Sequence, residues 1–74
     1  MSIFSDLLGE VESALLNDPR TRNAIIEVDN NNGIVTLSGV VDSPVTSDAA
    51  EEVVSRQSGV IKVVNQLRIR DTAR

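Results

Sequence analysis

The sequence Asn30-Asn-Asn-Gly-Ile-Val-Thr-Leu-Ser-Gly-Val-Val-Asp42 predicts a tight turn, then a strand, then a break in the strand. The asparagines and Gly33 suit the turn, because both residue types accept positive φ or bond their own backbone. The alternating, β-branched residues 34–41 predict a strand with Leu37 on its buried face. Gly39 lies on the same face, where the missing side chain predicts close approach of another element, most simply a helix.

A helix and a strand are predicted on the amino-terminal side of this turn. Apolar residues at three- and four-residue spacing predict an amphipathic helix over residues 2–17, which Pro19 brings to an end. Gly9 interrupts the helical pattern and is interpreted as a mark of close helix packing. Residues 24–29 then predict a strand, and the short turn predicts that it forms a β-hairpin with the strand that follows.

A second helix is predicted directly after the hairpin. Pro44 suits the first helical turn, and either Ser43 or Asp42 is expected to cap it. Helical spacing of apolar residues predicts the helix over about residues 45–57, and its apolar positions, expected to face the core, are Val45, Ala49, Ala50, Val53 and Val54. Gly59 is then expected in the left-handed conformation that ends many helices.

The last strand is predicted over residues 60–70. Asn65 interrupts its apolar face, so it either bonds the adjacent backbone or marks a bulge. The sequence leaves open which strand pairs with this one. The acids Glu27 and Asp29 would form favourable cross-strand pairs with Arg68 and Arg70. This weakly favours pairing of the last strand with the first.

These elements predict an α+β fold of order α-β-β-α-β, in which two helices pack on one face of a three-stranded mixed sheet. The 74 residues are expected to form a single domain with its core over about residues 5–70. The predicted core face of the sheet consists of alternating apolar residues: Ile26, Val28, Val35, Leu37, Val41, Val63, Leu67 and Ile69.

The composition argues against catalysis. The chain contains neither histidine nor cysteine, which removes the commonest general base and the thiolate metal ligands. We therefore predict no catalytic residues, no metal and no cofactor. One aromatic residue and a net charge of −4 also disfavour a nucleic-acid partner. No signal peptide is visible, so the chain is cytoplasmic as written, or periplasmic or membrane-associated if it is cut from a longer protein.

Two spaced patterns together resemble the BON domain, a small bacterial domain of periplasmic stress proteins, outer-membrane proteins and some channel and secretion proteins. They are Gly33-x-Val35-x-Leu37-x-Gly39 and, about twenty residues later, Gly59-Val60-x-x-Val63-x-Asn65-x-Leu67. The resemblance extends over nearly the whole chain. It implies a non-catalytic domain that attaches to phospholipid membranes or cell-envelope partners. Some members of the family occur in proteins that bind potassium or other small ligands.

The last strand carries the candidate binding residues. Lys62, Arg68 and Arg70 are predicted on its outward face, where they would bind anionic headgroups. The charge is uneven along the chain, because residues 1–55 sum to −8 and residues 56–74 sum to +4. The alternative is an ordinary solvated strand face whose cations pair with acids of the first strand.

A second candidate surface is apolar. Four aliphatic residues point away from the predicted core, and together they would form a strip on the open face of the sheet: Ile25, Ile34, Val40 and Val64. Contiguous exposed apolar surface often marks an interface. The strip therefore predicts, as the alternative function, a protein-interaction module or a homodimer through the sheet face or an edge strand.

Overall fold

The computed structural model of the protein describes residues 6–70. It confirms the predicted α+β fold and the order of its elements. The start that we predicted for the first helix lies outside the described residues. The helices and strands are α1 (Asp6–Asn17), β1 (Ile25–Asn31), β2 (Ile34–Val41), α2 (Pro44–Ser55) and β3 (Lys62–Ile69).

The three strands form one mixed sheet in the order β1-β2-β3. β2 lies in the centre, antiparallel to β1 and parallel to β3. The weak preference for pairing β1 with β3 was therefore wrong. That preference rested on ion pairs between exposed side chains, which contribute little. Placing β2 in the centre fully buries Val35 and Leu37, and this apolar burial outweighs the charge pairs.

The hairpin between β1 and β2 closes through the predicted asparagine turn. Its two central residues both have positive φ, 55° at Asn32 and 92° at Gly33. The flanking residues Asn31 and Ile34 are paired in the sheet. The side-chain oxygen of Asn30 accepts a hydrogen bond from the Gly33 backbone N–H at 2.9 Å. Two residues of positive φ match the right-handed twist of a hairpin, which confirms the predicted connection.

Gly39 is required for a reason that differs from the prediction. A Cβ atom at this position would lie 2.8 Å from the carbonyl oxygen of Ile25, which belongs to β1 and not to a helix. The residue also has a φ of +124°, a conformation that residues with a side chain rarely adopt. The expected helix contact at Gly39 was thus wrong, because the close neighbour is the backbone of the adjacent strand.

The second helix begins as predicted and ends early. Ser43 is its N-cap and accepts a long hydrogen bond, 3.4 Å, from the backbone N–H of Thr46. The helix ends at Ser55 with Arg56 as its C-cap, before the predicted end. Gly59, with a φ of +96°, lies beyond the cap in a separate turn that leads to β3. Its left-handed conformation is confirmed, whereas its role as the helix cap was wrong.

Both helices cover the same face of the sheet, as predicted. The buried core joins residues of α1, β2 and α2: Val11, Leu15, Val35, Leu37, Ala50, Val53 and Val54. Two predicted core residues are exposed instead, Val45 in the first turn of α2 and Ile69 at the end of the edge strand β3. Among residues 6–70, no atom of another element lies within 4 Å of a Cβ added at Gly9, so the close packing expected at this glycine is not found in that part of the chain.

Asn65 connects β3 to α2. Its amide nitrogen donates to the Ser47 hydroxyl at 3.0 Å and to the Glu51 carboxylate at 3.2 Å. Its amide oxygen accepts from the Leu67 backbone N–H at 2.9 Å. The register with β2 continues unbroken from Lys62 to Ile69. Of the two alternatives for Asn65, the backbone bond is therefore confirmed and the bulge was wrong.

Candidate binding surface on the open face of the sheet

The face of the sheet opposite the helices, called the outer face here, is organised in rows that cross all three strands. The strand registers define which side chains share a row. Read from β1 through β2 to β3, the rows are Ile25–Val40–Arg68, Glu27–Ser38–Gln66, Asp29–Thr36–Val64 and Asn31–Ile34–Lys62.

The predicted apolar strip is divided in two. Ile25, Val40 and Ile34 are exposed, with 84%, 48% and 41% of their surface accessible. The polar row Glu27–Ser38–Gln66 lies between the Ile25–Val40 pair and the remaining aliphatic residues. The expectation of one contiguous strip was therefore wrong. A period of two placed these residues on one face, but it could not show which of them share a row.

The predicted basic residues Lys62, Arg68 and Arg70 are all exposed. The unbroken register of β3 keeps Lys62 on the same face as Arg68. Six residues separate them, however, which corresponds to about 20 Å along a strand. The structure thus brings Arg68 and Arg70 together and leaves Lys62 at the opposite end of β3.

The acids near these cations differ from those expected. Arg70 Nε lies 3.5 Å from Asp42 Oδ1 at the end of β2, and both side chains are largely exposed. An exposed pair of this kind contributes little free energy. Glu27 and Asp29 lie on β1, two strand spacings or about 10 Å from β3. The expected pairing of these acids with the arginines was therefore wrong, and within residues 6–70 Arg68 forms no ion pair.

We call the group Ile25, Val40, Arg68 and Arg70 the basic end. Ile25, Val40 and Arg68 form one row, and Arg70 follows two residues later, just past the end of β3. The guanidinium group of arginine donates several N–H hydrogen bonds to phosphate or carboxylate oxygens. The aliphatic part of the same side chain packs against apolar surface. The basic end therefore combines anion-binding donors with exposed aliphatic side chains.

A cleft of about 210 Å³ adjoins the basic end. It lies between the α1–β1 connector and the start of α2, and its polar lining includes Arg20, Asn23, Asp42, Thr46 and Arg70. Sequence reasoning missed this cleft, because its walls come from three separate segments. Its arginines have carboxylate partners, so its charge is largely balanced within the protein.

The α1–β1 connector is held by an ion-pair network that the sequence did not indicate. The Arg20 guanidinium donates to both carboxylate oxygens of Asp18, at 3.0 and 2.9 Å, and to Glu52 of α2 at 3.3 Å. The two side-chain bonds from Arg20 to Asp18, together with a bond from the Arg20 backbone N–H, lower the pKa of Asp18 from 3.8 to about 2. The same carboxylates raise the pKa of Arg20. Arg56 also pairs with Glu52, which places Arg56 away from the outer face.

The residues that carry the family resemblance occupy structural positions. The glycines have positive φ, the apolar residues contribute to the core or pack against it, and the asparagine ties β3 to α2. These residues are Gly33, Gly39 and Gly59, then Val35, Leu37, Val60, Val63 and Leu67, and finally Asn65.

The described part of the chain holds neither a metal-ligand cluster nor a membrane-spanning helix. Between residues 6 and 70, no three acidic side chains are placed to hold a metal ion. No helix in that part of the chain is long and apolar enough to cross a membrane.

The fold and the open sheet face define a small two-layer α+β domain of the α-β-β-α-β type. The chain belongs to the BON domain family, whose model matches residues 5–71. This confirms the resemblance, and BON domains are typically non-catalytic. The chain is also similar to Osmotically-inducible protein Y of Escherichia coli (strain K12), with 37% identity over 59 residues. That alignment covers 80% of this chain and 29% of the relative, so the chain spans less than a third of that protein.

Proposed function

We propose that this domain is a non-catalytic binding module that associates with anionic phospholipid surfaces through its basic end. The observation that supports the proposal is the register of the sheet. It puts Arg68 in one row with Ile25 and Val40, two of the exposed aliphatic residues, while Arg70 lies beside it. Cations next to exposed aliphatic side chains suit the boundary between headgroups and acyl chains.

The distribution of acids supports the same orientation. Five exposed carboxylates lie on the helices, which cover the opposite face of the sheet: Glu10, Glu12, Asp48, Glu51 and Glu52. When the basic end meets an anionic surface, the thickness of the sheet separates these helix acids from it. The two acids of the outer face, Glu27 and Asp29, lie on β1, about 10 Å from the cations of β3. Charge repulsion is then screened over roughly one Debye length, about 10 Å at 0.1 M salt. A net charge of −4 is thus compatible with local binding at the basic end.

The expected affinity is modest. Each cation near an anionic leaflet contributes about 1 kcal/mol. Partial burial of Ile25 and Val40 would add roughly 2 to 3 kcal/mol. The sum corresponds to a dissociation constant between about 0.1 and 1 mM in accessible lipid. Binding of this strength is reversible, and its electrostatic part weakens with salt.

Charge reversal at the basic end tests the proposal. The double variant Arg68→Glu/Arg70→Glu replaces two attractions by two repulsions, which corresponds to about 4 kcal/mol or roughly a thousandfold weaker binding. Co-sedimentation with anionic vesicles measures the change. Lys62→Glu is the matched control, since it reverses a charge on the same strand about 20 Å from Arg68. Undiminished binding of the double variant, or an equal loss in the control, would contradict the site.

The name of the similar E. coli protein describes it as osmotically inducible, and we extend that setting to this chain as part of the proposal. Induction of the chain after an osmotic upshift in its own cells is the expected result, and transcript measurement checks it. A potassium-like ligand, which the family resemblance implied, stays a prediction.

A further inference from the structure

We infer that two copies of this chain pair through their outer faces, about a two-fold axis that runs parallel to β2. This inference does not depend on lipid binding. It follows from the charge pattern of the outer face, where the two flanking strands carry opposite signs and the central strand carries none.

The sign of the charge changes from one edge of the outer face to the other. β1 contributes Glu27 and Asp29, and β3 contributes Lys62 and Arg68. Between them, β2 presents four uncharged side chains: Ile34, Thr36, Ser38 and Val40. A face with an acidic side and a basic side is complementary to a copy of itself only when the two sides are exchanged.

When the strands of the two copies stay roughly aligned, two-fold symmetry allows two face-to-face arrangements. An axis across the strands lays β1 over β1 of the second copy, so Glu27 and Asp29 meet the same acids. An axis along β2 lays β1 over β3 of the second copy. Rotation about this second axis leaves the position of each residue along the strand direction unchanged. Each row of one copy therefore lies over the same row of the second copy.

The axis along β2 produces complementary contacts. Glu27 lies one row from Arg68 of the second copy, and Asp29 lies one row from its Lys62. Val40 lies over Val40, and the Arg68 stem covers the exposed Ile25. The two sheets then form an aligned sandwich, with about 10 Å between them and strand directions within about 30°.

The sheet edges are poorer interfaces. On the free edge of β3, the Leu67 backbone N–H already donates to the side-chain oxygen of Asn65. A pairing strand would have to displace the Asn65 side chain. On the other edge, antiparallel pairing of β1 with a second β1 would bring acidic side chains next to each other. The outer face is therefore the surface on which a second copy finds both apolar contact and opposite charge.

The dimer is expected to be weak. Three strands about 4.8 Å apart and seven residues long cover roughly 300 Å² in projection, below the ~800 Å² per partner of a standard interface. Association should therefore appear at high protein concentration and low salt. The dimer buries the basic end, so self-association and lipid binding are mutually exclusive.

Sedimentation equilibrium of two charge-reversed variants tests the inference. For a dissociation constant of about 1 mM, the weight-average mass of wild type is expected to rise with concentration and to reach about 1.5 times the monomer mass at about 1 mM. Glu27→Arg and Arg68→Glu should each be monomeric alone, because like charges then face each other twice. An equimolar mixture of the two variants should dimerise. In that mixture, position 27 of the first variant faces position 68 of the second, and the two substituted residues carry opposite charges. The unchanged Arg68 of the first variant likewise faces the unchanged Glu27 of the second.

Three results would overturn the inference: a wild type that stays monomeric throughout, single variants that dimerise as wild type does, or a mixture that stays monomeric. Dimerisation of Glu27→Arg with wild type that is tighter than dimerisation of wild type alone would overturn it in favour of the axis across the strands, because that axis lays β1 over the acids of the second β1. Failure of the dimer is distinguishable from failure of lipid binding, because Glu27→Arg retains the basic end and should still bind anionic vesicles.

Discussion

Replacing Gly39 by alanine probes the most constrained point of the sheet. The residue has a φ of +124°, and a Cβ would lie 2.8 Å from the Ile25 carbonyl oxygen. That oxygen belongs to a paired strand, so it moves only if the pairing of Ile26 with Gly39 is distorted. We therefore expect Gly39→Ala to destabilise the fold through both backbone strain and a steric clash.

The size of the effect follows from these two contributions. Backbone strain of this kind costs about 1 to 3 kcal/mol. An overpacked contact adds about 1 kcal/mol or more. The expected loss is thus about 2 to 4 kcal/mol. A chain of 74 residues has a free energy of unfolding of about 4 to 11 kcal/mol, so the variant loses a large share of its stability.

Urea unfolding followed by far-ultraviolet circular dichroism measures this loss, since the chain has no tryptophan or tyrosine for fluorescence. With a urea slope of about 1 kcal/mol per M, the midpoint should fall by at least about 2 M. Gly9→Ala is the matched control, because an added Cβ there meets no atom of another element within 4 Å in the described part of the chain. Alanine in the helix should raise stability by about 0.5 to 1 kcal/mol. An unchanged midpoint in Gly39→Ala would refute the reasoning.

Three further predictions concern other contacts. Asn65→Ala leaves the Leu67 N–H without its side-chain partner and should lower the free energy of unfolding by about 1 to 3 kcal/mol in the same urea assay. Asp18, whose pKa falls from 3.8 to about 2, should stabilise the fold above pH 3.8 and lose this effect as the pH falls through about 2. Asp18→Asn should flatten acid-unfolding curves in that window, and an unchanged curve would contradict the assignment. Val40→Lys, next to the proposed two-fold axis, should abolish the dimer in sedimentation equilibrium while leaving the circular dichroism spectrum unchanged.

Local sequence patterns predicted much of the fold. The alternation from Ile34 to Val41 indicated both ends of β2 correctly, because a half-buried strand needs a period of two. The asparagine turn predicted the hairpin, because only a few residue types readily adopt the positive φ that a two-residue hairpin turn requires. Helical spacing predicted which residues of α2 are buried, apart from the exposed Val45.

Long-range arrangement was harder to predict. The position of β3 beside β2 depends on which strand the two helices bury. The pattern of residues within a single strand does not indicate this. The requirement for glycine at residue 39 was visible, whereas the contact with Ile25 depends on the path of the neighbouring strand. The bonds of Arg20 with Asp18 and Glu52 likewise join the connector to a distant helix.

The candidate surface was predicted only in part, because its composition also depends on how distant strands pair. Period-two spacing correctly put Lys62 and Arg68 on the outward side, because side chains alternate along a strand, and Arg70 lies exposed just past the end of β3. The register of all three strands was needed to separate Lys62 from the basic end. It was also needed to show that Arg68 shares its row with Ile25 and Val40.

The most direct test of the account is co-sedimentation of the wild-type domain with anionic and with neutral vesicles, each at low and at high salt. The account predicts binding to anionic vesicles at low salt, a marked loss at high salt, and little binding to neutral vesicles, because Arg68 and Arg70 supply the attraction. Equal binding to both kinds of vesicle, or no binding to either, would contradict the lipid function.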